Sequence, residues 1–148
     1  MAMKPALWFL LLSAVLGCSA HERCTKATEF VPALCPLRLP RIVDVRIEQN
    51  GAKADAAKDD PADCTRFHVD ADVVRRFFAS AKAVDEHAAH HTLDWSPCYA
   101  SGTLKFAGGA TAHWDINELR TGDIDTGTTA RQFVYCPTCR FKPFPAND

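Results

Sequence analysis

The chain has 148 residues and nearly balanced charge, with 17 Lys and Arg against 18 Asp and Glu. One domain fits that length, and two cores of ordinary size do not. The even balance gives no case for nucleic acid or a charged membrane face as a partner, since both draw on a basic excess.

In chain order, the first expected element is an export signal. Lys4 precedes a run over residues 6–16 that is apolar but for Ser13, the pattern of a secretory signal peptide. A permanent spanning helix needs about 20 apolar residues, so this run is too short to stay in a bilayer. No other stretch of the sequence is apolar enough to span. Val15-Leu16-Gly17-Cys18 resembles the lipobox of bacterial lipoproteins. That resemblance implies a signal peptide over residues 1–17, lipid on Cys18 and a membrane anchor through it. Ser19 behind Cys18 then implies sorting to the outer membrane, with the protein facing the periplasm. Cleavage after Ala20 is the alternative, and it would release a soluble periplasmic or secreted protein.

Either cleavage removes Cys18 from the disulfide pool and leaves Cys24, Cys35, Cys64, Cys98, Cys136 and Cys139. An even set in an exported domain reads as up to three bridges, without fixing the pairing. Residues 18–40 are expected to be an irregular arm, because Pro32, Pro36 and Pro40 deny it a long helix or central strand. Cys24 and Cys35 lie close enough to close a local loop, and they are expected to pair.

Residues 41–148 read as a single domain. Val43, Val45 and Ile47 alternate with Asp44 and Arg46, as one buried face of a strand over 42–47 requires. Residues 49–63 have no hydrophobic period and many turn formers, and read as a mobile loop. A short strand follows over 64–69, and Asp70 is placed to cap a helix. Val73, Val74, Phe77, Phe78, Ala81 and Val84 recur at helical spacing and extend that helix over 71–84. Strands are expected over 99–106, 111–116, 122–125 and 131–136, with glycine-containing turns between them. The fold class is α+β, an antiparallel meander with one helix packed on one sheet face, stapled by disulfides.

Matching helix and strand lengths would bring Cys64, Cys98, Cys136 and Cys139 to one end of the sheet. Four thiols there could form two disulfides or hold a tetrahedral zinc. Only Cys136-Pro-Thr-Cys139 is a close pair, which favours disulfides and no metal. A Cys-x-x-Cys pair also suits thiol exchange when it opens a helix. Here it ends the last strand, and Pro143 and Pro145 deny a helix after it.

Glu86 with His90, and His87 with His91, have the i, i+4 spacing a metal would use, although histidines near a helix C-terminus are favoured by the dipole alone. His68 and His113 fall in strands, where packing is the simpler role. Asp94, Asp115, Asp123 and Asp125 could pair as carboxylates, but beside turns and strand ends such residues usually accept local hydrogen bonds. No nucleophile elbow or phosphate-cradling loop occurs, so no catalytic residue and no cofactor are expected. Residues 93–99 form the densest aromatic and turn cluster. Trp95 reads first as a core anchor, and with Tyr99 it is the candidate for partner contact.

Trp-Ser-Pro-Cys ahead of a hairpin and Tyr-Cys-Pro-Thr-Cys-Arg near the end resemble small proteobacterial envelope lipoproteins, a likeness covering residues 97–144 and carrying no activity. The function expected is a lipid-anchored, non-catalytic module binding an envelope protein, with an immunity or inhibitor role by analogy. The alternative is an envelope thiol-disulfide oxidoreductase using Cys136 and Cys139.

Overall fold

The structure is a computed structural model and describes residues 23–146. The expected signal peptide over residues 1–17 and the expected lipid site Cys18 lie outside the described residues. Seven strands, β1 (Cys35–Pro36), β2 (Ile42–Lys53), β3 (Lys82–Val84), β4 (Cys98–Phe106), β5 (Thr111–Asn117), β6 (Thr121–Asp125) and β7 (Gln132–Tyr135), form one sheet in the order β1-β3-β7-β6-β5-β4-β2. Every neighbouring pair is antiparallel. Two helices, α1 (Ala71–Ser80) and α2 (Glu86–His91), and two short 3-10 turns complete the described elements.

The inner face follows from strict alternation. Cys98, Ala100, Leu104 and Phe106 of β4 are buried, as are Ala112, Trp114 and Ile116 of β5 and Ile124 of β6. Helix α1 buries Val74, Phe77 and Phe78 in the same core, and the Phe78 ring meets Trp114 edge-on at 6.5 Å. Full burial of such side chains contributes roughly 1.5–3 kcal/mol each. Three of them hold a ten-residue helix that would be marginal alone. Phe144 completes the core from the C-terminal tail, with its ring 5.8 Å from Phe67 and 5.7 Å from Phe77.

The antiparallel sheet and the disulfides match the sequence reading. The α+β assignment holds only in part, since most of the ordered elements are strands. Val43, expected on the buried face of the first strand, is 40% exposed, because a register shift between Ile42 and Asp44 breaks the alternation and Ile42 packs on the core with Val45 and Ile47 instead. Three elements also differ, each for a physical reason. The helix capped by Asp70, whose carboxylate accepts from Val73 N, ends at Ser80 rather than Val84. Residues 82–84 instead pair with β7, and the apolar spacing of Ala81 and Val84 suits both conformations. Residues 64–69 are not a strand. Cys64–Arg66 is a 3-10 turn capped by Asp63, and the Asn50 amide takes the place of a partner strand by bonding both the N and O of Val69. The expected loop over 49–63 is strand as far as Lys53, because Asn50-Gly51 makes an irregularity within β2 instead of ending it. Gly51 has φ 64°, a left-handed conformation that glycine adopts without strain.

Three disulfides are formed among the described residues: Cys24–Cys35, Cys64–Cys98 and Cys136–Cys139. The last two lie in the core. Cys98 O accepts from Glu118 N, and Cys136 N donates to Arg120 O, so the β5–β6 turn brings both bridges to one end of the sheet. The arm adds β1 to the sheet edge by pairing with β3.

Candidate functional site, an acidic cleft beside Trp95

The outer sheet face carries the alternate residues of the same strands: Tyr99 from β4, Asp115 and Asn117 from β5, Asp123 from β6 and Phe133 from β7. Over part of this face lies α2, started by the Asp85 carboxylate accepting from Ala88 N at 2.7 Å. His90 packs edge-on to Phe133 at 5.1 Å, and His87 lies 4.8 Å from His91. The chain after α2 is pinned by Ser96, whose hydroxyl accepts from Cys98 N and donates to Glu118 Oε1. Trp95 precedes that anchor and is 61% exposed, so the core role read for it from sequence does not hold. Ser96 and Pro97 on its C-terminal side are buried, while Trp95 itself lines the hollows of the outer face.

Trp95 borders two adjoining hollows that share Asp115 and Asn117 on their floor. One, about 300 Å³, adds Asp55, Ser96 and Tyr99. The other, about 160 Å³, adds His90, Asp123 and Phe133. Tyr99 is half-buried here, and its hydroxyl donates to Gln49 Oε1.

Asp115 and Asp123 stand directly opposite each other across β5 and β6. Gly122 permits the close approach of the two strands, since a Cβ there would fall 2.1 Å from Asp115 O. Burial pushes the Asp115 carboxyl up to about 7, the charge of Asp123 adds to the effect, and Arg131 opposes it. Burial also raises Asp123, against Arg131, whose Nε lies 3.6 Å from its Oδ1. Burial is likewise the first cause of the raised Tyr99, followed by Asp115 and Asp55. The cleft therefore carries more negative charge than Arg131 offsets, under an aromatic rim.

No family model, curated protein or solved structure matches the chain. The chemistry of the cleft has to be read from its own residues. A carboxyl that titrates near neutrality can donate a hydrogen bond when protonated and hold a cation when ionised. The exposed indole offers an apolar face and an N–H. No group of three or more His, Cys, Asp or Glu poised to hold a metal ion occurs among the described residues.

Of the sequence candidates, Trp95, Tyr99, Asp115 and Asp123 come together here, whereas Asp94 lines neither hollow. Cys136 and Cys139 are buried and bridged in the core, with no exposed area. Sequence reasoning missed Asp55, Asn117 and the His90–Phe133 contact. For Asp115 and Asp123 a signal existed, since a hairpin centred on residue 119 sets 115 opposite 123.

Proposed function

We propose that the protein is an exported lipoprotein, anchored through Cys18 in the outer membrane and facing the periplasm, that binds another protein without catalysis through the Trp95 cleft. The carrying observation is an indole 61% exposed beside an under-neutralised carboxylate on a rigid sheet. Large aromatic anchors dominate binding energy where proteins meet, and a sheet floor held by two core bridges is already ordered before a partner arrives. A Lys or Arg side chain of the partner suits the site, because it would meet both the carboxylates and the indole face. In this picture α1 is the layer that covers the opposite sheet face, an α+β arrangement that leaves the outer face free. An immunity or inhibitor role within this class rests on analogy.

The rival use, thiol exchange at Cys136 and Cys139, is disfavoured by their burial, since exchange begins with attack on an accessible sulfur. Their potential is expected below about −300 mV, as for structural bridges. To test the binding proposal, the oxidised full chain is immobilised and exposed to envelope extract in mild detergent. A discrete protein should be retained by wild type and lost with Trp95→Ala at unchanged unfolding midpoint. Retention of the same protein by Trp95→Ala would contradict the proposal.

A further inference from the structure

The Cys24–Cys35 bridge lies outside the core. What it closes is a small loop that is also hydrogen-bonded internally. Thr25 N donates to Leu34 O, Leu34 N donates to Thr25 Oγ1, Thr28 N donates to Val31 O and Val31 N donates to Thr28 Oγ1. At its tip stand Phe30, 81% exposed, and Val31, 49% exposed. Among the described residues the other exposed large apolar side chains, Val43 and Trp95, have no such neighbour in sequence. Covalent and hydrogen-bond constraints are thus spent on displaying two adjacent apolar side chains to the outside.

Two further observations say what meets them. Five peptide links separate Cys18 from Arg23, and a fully extended chain of that length spans no more than roughly 18 Å. A lipid on Cys18 would keep the loop beside the bilayer. The whole chain is charge-balanced, but its first described stretch is not. Residues 23–41 expose Arg23, Lys26, Arg38 and Arg41 against Glu29, the complement of an anionic lipid surface.

Resting on the lipid-anchor reading of Cys18, we propose that the Cys24–Cys35 loop is a membrane-contacting tip that inserts Phe30 and Val31 into the headgroup boundary of an anionic bilayer. Two side chains would hold a free protein poorly. Tethering by lipid makes their insertion an intramolecular event at high effective concentration. The stapled turn has little left to order on insertion, which is why stiffness helps. The result is a domain held at a fixed attitude to the membrane.

The full chain, purified in detergent with its native N-terminus, is reconstituted into vesicles of phosphatidylethanolamine and phosphatidylglycerol brominated on the acyl chains. Intact mass reports the lipid on Cys18 and so separates failure of the anchor from failure of the tip. Emission added by Phe30→Trp, read against wild type, should be quenched by the brominated lipid. Emission added by Thr128→Trp, on an exposed turn, should not be. Equal quenching of both, or of neither, on lipidated chain would overturn the proposal. Protection of the Phe30→Trp emission from aqueous iodide in the unlipidated chain, free of detergent and vesicles, would also overturn it, because a second copy or another protein would then cover the tip. A chain lacking lipid on Cys18 would remove the anchor reading and the proposal with it.

Discussion

Replacing Asp115 by Asn should stabilise the fold, and the gain should depend on pH in a defined way. The folded carboxyl titrates at about 7 against an ordinary value of 3.8. Its folded pKa is raised, so the unfolded chain releases this proton first. Stability from this group is complete below about pH 4 and is lost as pH climbs from there through 7. The slope approaches 1.4 kcal/mol per pH unit in that window. Across it the loss reaches about 4 kcal/mol as an upper bound, since the group keeps some contact with water. Asn is nearly isosteric and carries no charge, so Asp115→Asn should be close to neutral at pH 4 and more stable than wild type by a few kcal/mol at pH 8. Urea unfolding of both proteins at several pH values, with the disulfides intact, measures the difference. Parallel stability curves would refute the reasoning, because they would mean that Asp115 is ionised at no cost. A carboxylate that costs stability at neutral pH fits a residue kept for binding rather than for the fold.

Four further outcomes are expected. Gly122→Ala places a Cβ 2.1 Å from Asp115 O, so β6 must move from β5, with a loss of about 2 kcal/mol or more in chemical unfolding. Replacing Cys64 and Cys98 together by Ala opens a loop of sequence separation 34 and should cost about 4 kcal/mol by chain entropy. The same change at Cys24 and Cys35 opens a shorter loop, of sequence separation 11, and should cost less, at most about 3 kcal/mol by the same chain entropy, read in urea unfolding followed by tryptophan emission. Asp70→Ala removes the cap on Val73 N and should cost about 1 kcal/mol, without change in the outer face.

Much of the sheet was legible because β4 and β5 alternate cleanly and are joined by glycine at the turn. Asp70 was legible as a cap for the same local reason. What failed to show was decided by tertiary contact. Ala81 and Val84 satisfy a helical period, yet the backbone of 82–84 finds a strand partner in β7, and periodicity carries no record of partners. Asn50-Gly51 reads as a turn by composition but is absorbed into β2 by pairing with β4. The cleft was half legible. Trp95 and Tyr99 stood out by type, and Asp115 and Asp123 by position in a hairpin. Asp55 reaches the same place from a distant turn, and nothing local announces it. The exposure of Trp95 was not legible, and neither were the bonds of its neighbour Ser96 to Cys98 N and Glu118 Oε1 that pin the chain there.

If a protein partner sits in the Trp95 cleft, a photoreactive benzophenone side chain placed at exposed Asp94, beside an intact Trp95 in the full chain and irradiated in cells that make it, will lie against that partner. One discrete protein adduct should form there, and no adduct should form from the same group at Thr128. No adduct at Asp94, or the same adduct from both positions, would contradict a partner in the cleft.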